Sequence, residues 1–196
     1  MQYKELWEVT TWCSRCKEVD KNKQKNIIKY KKIDAKTIKD ISVEGGDIRI
    51  LSTGKYIGYT THEKASNYIN QGEVVAIADG GGVNIQYCKG LFATSYHNKI
   101  ITSIDKNILD NKFLYYFLMN KKNEISSLYV GTTIKHLHAR KIFNYKIPIH
   151  SIEKQKQTVK ILDSLNNDLN FIDECIEFKK KKYKYYLNEL LGFSSE

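Results

Sequence analysis

The run Trp12-Cys13-Ser14-Arg15-Cys16 is the first place in this sequence where residue types and spacing could do chemistry. Two cysteines at this spacing occur in redox sites and in halves of zinc sites. No apolar strand precedes this run to position it, and with Pro148 as the single proline no second proline completes a thioredoxin-type site. A zinc site needs a second ligand pair, but the other two cysteines stand alone, and His136 and His138 are too close in sequence. We therefore expect partly buried structural thiols and no metal site.

Two glycine-containing segments raise the possibility of nucleotide binding. Gly54-Lys55 is followed by Tyr56, where a P-loop requires Ser or Thr to hold magnesium. Gly80-Gly81-Gly82 lacks the GxGxxG spacing and instead predicts a loop that another backbone can approach closely. No GxSxG, HExxH or paired-carboxylate pattern occurs, although scattered Asp, Glu and Lys leave a loosely defined nuclease centre open. The sequence favours a protein without catalytic activity and without a cofactor.

The positive charge of the chain belongs to its first 150 residues. The 196 residues include 32 Lys plus Arg and 22 Asp plus Glu, a formal net charge of +10. Residues 151–196 contain 8 Lys and 8 Asp or Glu, so 24 basic and 14 acidic residues remain in positions 1–150. Such a basic unit suggests a polyanionic partner, nucleic acid before an anionic membrane. No apolar run reaches the roughly 18 residues that span a membrane, and no signal peptide begins the sequence, so we expect a cytoplasmic protein without a membrane partner.

Two segments of this basic part have the side chains that contact nucleic acid. The first is rich in lysine between positions 21 and 32 and contains Tyr30, and long cations reach phosphates without rigid placement. The second, residues 129–141, packs hydroxyls, histidines and cations behind a glycine turn, with Thr132 and Thr133 as plausible N-caps of a helix. The alternatives are a soluble lysine-rich loop and an ordinary capped surface helix.

The elements that must position these segments are mostly short strands. Apolar and β-branched runs predict strands at 48–51, 73–78, 83–87, 98–102 and 142–149, and a helix over Asn111–Asn120. The structure of residues 25–39 stays open. Because strands and helices do not alternate as βαβ units, we expect a compact mixed α+β domain over residues 1–150 rather than a doubly wound sheet.

Residues 151–196 predict one long coiled-coil helix. Apolar residues recur every seven positions on two adjacent stripes, and from Ile152 to Leu191 the helix would be about 60 Å long. Because one domain is too small to cover such a stripe, we expect a partner helix in this chain or another; the alternative is a helix packed on its own domain. Lys179 falls within the second stripe, and the run 179–182 is expected to be solvated. The predicted seam consists of Leu162, Leu165, Leu169, Ile172, Ile176, Tyr183, Tyr186 and Leu190.

Six motifs follow one another along nearly the whole chain. They are Leu6-Trp7-Glu8-Val9, residues 48–54 with 57–60, residues 72–77 with 79–82, residues 113–118, residues 131–136, and Ile147-Pro148-Ile149 with 153–155 and 159–163. Taken in this order, they resemble one half of the DNA-specificity subunit of type I restriction-modification systems. Such a half is a target recognition domain followed by a long helix. Two departures are His150, in place of a second proline, and Lys154, which separates a Glu-Gln pair.

The resemblance implies a non-catalytic protein that binds double-stranded DNA. It implies methyltransferase subunits, which hold S-adenosylmethionine, and a motor-nuclease restriction subunit as partners. The helix would dock methyltransferase subunits and pair two halves, as a homodimer or with a different second half, so that the pair reads a bipartite site. Asn84, Thr132, Thr133 and His136 are expected to reach base edges. The predicted DNA-contact residues are Lys21, Lys23, Lys25, Lys29, Lys31, Lys32, Gly81, Gly82, Asn84, Thr132, Thr133, Lys135, His136 and Arg140.

Two other functions remain as alternatives to this interpretation. One is a stand-alone magnesium-dependent nuclease, which would cleave DNA without any other subunit. The other is a basic coiled-coil module that binds a protein and has no DNA specificity.

Overall fold

The computed structural model describes residues 2–16, 19–54 and 58–191. The chain divides into two compact units, Met1–Gln155 and Lys156–Glu196. Lys55, Tyr56 and Ile57, which belong to the P-loop comparison and to one of the motifs above, lie outside the described residues. No helix in the described part of the chain is both long and apolar enough to cross a lipid bilayer.

Ten strands and seven α-helices make up the described structure, with short 3-10 turns at Lys21–Gln24 and Ser66–Tyr68. The strands are β1 (Gln2–Glu5), β2 (Thr10–Trp12), β3 (Ile48–Leu51), β4 (Gly58–Thr60), β5 (Asn70–Ala78), β6 (Ile85–Thr94), β7 (Asn98–Ser103), β8 (Tyr129–Val130), β9 (His136–Leu137) and β10 (Lys146–Ile149). The helices are α1 (Leu6–Val9), α2 (Ala35–Ile41), α3 (His62–Ala65), α4 (Asn111–Asn120), α5 (Lys122–Ser126), α6 (Arg140–Phe143) and α7 (Ile152–Leu191).

A six-stranded mixed sheet forms the centre of the first unit. Its strand order is β2-β7-β5-β6-β3-β4, and every pair is antiparallel except β3 with β6. Two small antiparallel pairs, β1 with β10 and β8 with β9, lie outside it. This mixed sheet with its helices, followed by the long helix α7, is the α+β architecture that the sequence predicted.

The central strand β5 is buried because it is apolar on both faces. All five residues from Val74 to Ala78 are inaccessible to solvent, which a continuous apolar run predicts for a strand covered on both sides. Helix α4 packs its Phe113, Leu114 and Leu118 into the core, and the carboxylate of Asp110 caps its first turn by accepting from the backbone N–H groups of residues 112 and 113.

The β5–β6 ribbon is strongly curved. Leu51 at the end of β3 pairs with Thr94 at the end of β6, yet the next carbonyl, that of Ser52, accepts a 2.6 Å hydrogen bond from Gln86 near the start of β6. A straight ten-residue strand would hold these two points about 25 Å apart. Gly90 lies between these two points and has a φ of +114°, a backbone conformation that glycine adopts readily.

Two predictions about the segment before the long helix were wrong. Residues 142–149 are not one strand, because Ile142 and Phe143 are buried by the short helix α6 and only Lys146–Ile149 is extended. A short apolar run does not by itself distinguish the two structures. Thr132 and Thr133 do not cap a helix; they lie between β8 and β9, and the N-cap of α6 is Ala139, without a side-chain cap. Strand β6 also continues to Thr94, beyond the predicted end at residue 87.

Helix α7 runs for 40 residues, Ile152–Leu191. The buried side chain of Gln155, in the first unit, anchors its beginning: its oxygen accepts from the backbone N–H of Asp110 at 3.0 Å, and its nitrogen donates to the carbonyls of Ile108 and His150. In the second unit, every side chain from 164 to 187 is exposed, and Leu162 is half-buried. The apolar stripe on α7 is thus largely accessible.

Candidate nucleic-acid interface

Two of the predicted contact segments come together in the structure. We call residues 79–84 the glycine loop and residues 131–135 the hairpin loop. The backbone N–H of Leu137 donates to the carbonyl of Asp79 at 2.9 Å, and that of Gly81 donates to the carbonyl of Lys135 at 3.2 Å. Gly80 and His136 form an isolated β-bridge. Main-chain hydrogen bonds therefore hold the two loops side by side.

Two further segments join these loops. The backbone N–H of Asp79 donates to the carbonyl of His97 at 2.7 Å, which places the turn 95–97 beside the glycine loop. The side-chain nitrogen of Asn84 donates to the carbonyls of Thr53 and Gly54, which ties loop 52–54 to it. We refer to residues 52–54, 79–84, 95–97 and 131–137 as the loop cluster. Four parts of the chain thus build one surface.

Glycine is required in the hairpin loop for a steric reason. Gly131 has a φ of +138°, and a Cβ atom there would lie 2.4 Å from the carbonyl oxygen of Ile134. Gly81 and Gly82 also have positive φ values, 83° and 148°, but no atom lies within 4 Å of the Cβ position at either one. The backbone conformation, rather than crowding, therefore favours glycine in the glycine loop.

Tyr129 connects the hairpin to the sheet. Its buried hydroxyl donates a hydrogen bond to the carbonyl of Ala78, the last residue of β5. Burial raises the pKa of Tyr129 well above its usual value, and nearby Asp79 raises it further. The phenol consequently stays protonated and keeps its role as a donor.

Most of the predicted base-reading side chains point to solvent from this cluster. Thr132, Thr133 and His136 are exposed, as is Lys135. Asn84 is half-buried, and its amide nitrogen is occupied by the two carbonyls of loop 52–54. In this structure that nitrogen positions a loop, so the prediction for Asn84 depends on its side-chain oxygen.

The lysine-rich segment does not lie on one surface. The amine of Lys32 donates to the carbonyl of Asn98 at 2.9 Å, next to the turn 95–97. The amine of Lys23 instead lies 3.7 Å from Glu5 and 3.1 Å from the side-chain oxygen of Asn144, over the ring of Trp7. The remaining predicted lysines, and the arginine of α6, are exposed; these are Lys21, Lys25, Lys29, Lys31 and Arg140.

The sequence analysis did not identify Tyr96 and His97 as contact residues. The turn that carries them is fixed, because the backbone N–H of Tyr96 donates to the carbonyl of Ile33 and that of Ser95 donates to the carbonyl of Leu51. The side chain of Tyr96 is nonetheless 62% exposed. An exposed aromatic ring on a rigid turn is a typical contact residue. The available signal was a polar, aromatic turn, Ser95-Tyr96-His97-Asn98, between two strands.

Cys13 and Cys16, the two cysteines near the N-terminus, are buried and half-buried in the structure. The sulfur of Cys13 accepts a hydrogen bond from the backbone N–H of Ile100 at 3.2 Å. Within residues 2–16, 19–54 and 58–191, no three His, Cys, Asp or Glu side chains are grouped so that they could hold a metal ion.

Comparison with known proteins gives a family match over almost the whole chain. The family described as type I restriction modification DNA specificity domain matches residues 5–185. The type I restriction enzyme MjaVIII specificity subunit of Methanocaldococcus jannaschii is 29% identical over 125 residues, 62% of this chain and 28% of that subunit. The EcoR124I/EcoR124II specificity subunit of Escherichia coli is 30% identical over 88 residues, 42% of this chain and 22% of that subunit. The chain thus spans under a third of either relative.

Solved structures share the fold. The type I restriction-modification S subunit from M. genitalium superposes with a TM-score of 0.61 at 17% identity, over 99% of this chain and 46% of that one. A chain from a structure of the type I R-M system gives a TM-score of 0.64 at 15% identity, over 97% of this chain and 44% of that one. Because its fold recurs in these chains and the family match covers residues 5–185, this chain belongs to the type I restriction-modification DNA specificity family.

Proposed function

We propose that this chain is a non-catalytic DNA-recognition module of a cytoplasmic type I restriction-modification system. The observation that carries the proposal is the loop cluster, in which two of the four segments, residues 95–97 and 131–137, present exposed hydroxyl, imidazole, ammonium and phenol groups from a fixed backbone. A family whose description names DNA specificity makes double-stranded DNA the natural partner. Residues 1–150 would form the recognition domain, and residues 151–196 the helix.

We assign different roles to the charged and the neutral side chains. Lys32 and Lys135 would contact phosphates, which position the protein without reading sequence. Thr132, Thr133 and His136 would contact base edges in the major groove, where hydroxyl and imidazole groups find distinct donors and acceptors. Gly81 and Gly82 would let the backbone approach the DNA closely. The dispersed lysines of residues 21–31 and Arg140 would add weaker, sequence-independent attraction.

We further propose that helix α7 pairs with a second such helix. Its stripe offers large apolar side chains, including Leu169 and Ile176, that are 60% and 44% exposed. Pairing with another copy, or with a different second half, would give two recognition domains and a bipartite DNA site. The methyltransferase subunits would dock on the helices, and the restriction subunit would join for cleavage.

The experiment that tests recognition selects duplexes from a random pool with the full chain and its methyltransferase subunits. The dissociation constants of the selected duplex and of a scrambled duplex are then compared at several salt concentrations. We expect the selected duplex to bind at least about a hundredfold more tightly. We expect His136→Ala to reduce that ratio and Lys135→Ala to weaken both duplexes alike. A matched control is Lys122→Ala on α5, outside the loop cluster.

Two results would contradict the proposal. Equal affinity for selected and scrambled duplexes would favour a basic interaction module without specificity. Cleavage of DNA by the pure chain with magnesium would favour a nuclease. Because isolated recognition subunits can bind weakly, the comparison is made with the methyltransferase subunits present.

A further inference from the structure

A second surface feature lies beside the loop cluster. It is a cleft of about 320 Å³ on the first unit, between the segment that follows β2 and the end of β9. Arg15, Lys99 and His138 stand along it, while Trp12, Leu137 and Ala139 contribute apolar surface. None of the predicted DNA-contact residues lines this cleft.

Main-chain and sheet contacts fix the walls of the cleft. On one wall, the backbone N–H of Cys13 donates to the carbonyl of Ile100 at 2.8 Å, which holds the chain before Arg15 against β7. On the other wall, the backbone N–H of His138 donates to the carbonyl of Leu128 at 2.9 Å. A preformed backbone therefore carries the side chains of Arg15 and His138.

The cleft is continuous with the loop cluster. The amine of Lys99 lies 3.1 Å from the carboxylate of Asp79, the first residue of the glycine loop, and the carbonyl of Asp79 accepts from the backbone of Leu137. Lys99, which lines the cleft together with Arg15 and His138, thus contacts the first residue of the glycine loop. A DNA strand that crosses the loop cluster would pass this cleft.

The charge in the cleft is positive. Its eight described lining residues include an arginine, a lysine and a histidine, and none of the eight carries a carboxylate. Asp79 offsets the charge of Lys99, which leaves the exposed guanidinium of Arg15 as the dominant charge. A guanidinium offers paired N–H groups that match two phosphate oxygens.

We propose that this cleft holds one phosphodiester of the DNA backbone, with Arg15 as its main contact and Lys99 and His138 beside it. The apolar floor of Trp12, Leu137 and Ala139 suits the carbon face of the adjoining deoxyribose. The inference rests on the proposed function and adds a contact to it. Arg15 would be a positioning residue that fixes the register of the DNA and reads no base.

The test uses the full chain with its methyltransferase subunits and the selected and scrambled duplexes. We expect Arg15→Ala to raise both dissociation constants by the same factor, roughly three- to tenfold, and to lower the slope of log affinity against log salt by about 1. Arg15→Lys should keep the slope, and Lys64→Ala on α3, at the other edge strand of the sheet, should change neither quantity. Circular dichroism during heating confirms that Arg15→Ala remains folded.

The outcomes separate this inference from the proposed function. If the wild type discriminates between duplexes and Arg15→Ala behaves identically to it, the cleft is not a phosphate site and the proposed function stands. Weakening of the selected duplex alone would also overturn the inference, because Arg15 would then read bases. Saturable binding of inorganic phosphate at His138, observed by NMR, together with unchanged DNA dissociation constants for Arg15→Ala, would overturn the inference in favour of a free-anion site. If the wild type does not discriminate between the duplexes, the proposed function is wrong, and the inference that rests on it is withdrawn as well.

Discussion

At the scale of single residues, Glu73 links three parts of the first unit. One carboxylate oxygen accepts from the hydroxyl of Tyr87 at 2.6 Å, and the other lies 3.0 Å from the amine of Lys106. Burial acts to raise the pKa of Glu73, but these two donors outweigh it and hold the pKa below its usual value. Burial, and then the bond to this carboxylate, raises the pKa of Tyr87. At neutral pH, Glu73 therefore stays ionised and accepts the hydrogen bond, while Tyr87 stays protonated and donates it.

This linkage predicts a pH dependence of stability. Because the pKa of Glu73 is lower in the folded protein, its contribution is present above the unfolded pKa near 4.5 and is lost as pH falls through the folded pKa. We expect the free energy of unfolding of the wild type to fall more than that of Glu73→Gln between roughly pH 5 and pH 3. Urea denaturation at each pH measures it, with Glu44→Gln, an exposed change, as the control. Parallel curves for wild type and Glu73→Gln would contradict the assignment.

Tyr129 offers a second test at this scale. Tyr129→Phe keeps the ring but leaves the buried carbonyl of Ala78 without its phenolic donor. We expect a loss of about 1–2 kcal/mol in the free energy of unfolding, measured by urea denaturation. Tyr96→Phe, whose hydroxyl lies on an exposed ring, should leave stability unchanged. Equal stability of Tyr129→Phe and wild type would show that the hydroxyl does not fasten the hairpin.

At the scale of elements, the hairpin loop depends on one glycine. Gly131→Ala would place a methyl group 2.4 Å from a backbone oxygen at a φ of +138°, so we expect a loss of about 1–3 kcal/mol in unfolding free energy. We also expect the ratio of the dissociation constants for scrambled and selected duplexes to fall further in Gly131→Ala than in Gly72→Ala. Gly72→Ala is the matched control, because its Cβ would meet only ordinary contact, 3.8 Å from Val74. A fully stable, discriminating Gly131→Ala would contradict the steric argument.

Long elements with strong patterns were predictable from the sequence. The buried run of β5, the apolar face of α4 and the heptad stripe of α7 each carry enough residues to define a period. Strands β8 and β9 have two residues each, too few for any period. Strand β9 and the hairpin loop also hydrogen-bond to the distant glycine loop, and the sequence analysis predicted a capped helix in the same region.

The candidate site was predictable in its residue types but not in its assembly. The glycine loop and residues 131–136 were recognised as separate segments, and the structure brings them together. The turn 95–97 lies beside the glycine loop because Ala78 pairs with Asn98 in the sheet. Loop 52–54 joins them through side-chain hydrogen bonds from Asn84 and Gln86. Such pairings between distant segments come from tertiary packing, which no local pattern reports.

At the scale of the whole molecule, the accessible stripe of α7 predicts self-association. The intact chain should be a dimer in solution, and Leu169→Glu with Ile176→Glu should give a monomer, because two charges would be buried in an apolar seam. Asn170→Glu, an exposed change beside the seam, is the control. Sedimentation equilibrium measures the masses. A wild-type chain that is monomeric at every concentration would exclude the symmetric pair and leave a different second half as the partner of α7.

The way in which the loop cluster is held has an evolutionary consequence. Most of its joining hydrogen bonds connect main-chain groups, such as those between Asp79 and His97 and between Gly81 and Lys135. Every residue type except proline supplies these groups, so the side chains at positions 132, 133 and 136 can be exchanged while the scaffold persists. Under the proposed function, a lineage would rewrite its DNA target by a few substitutions at these positions and keep the same fold and the same long helix.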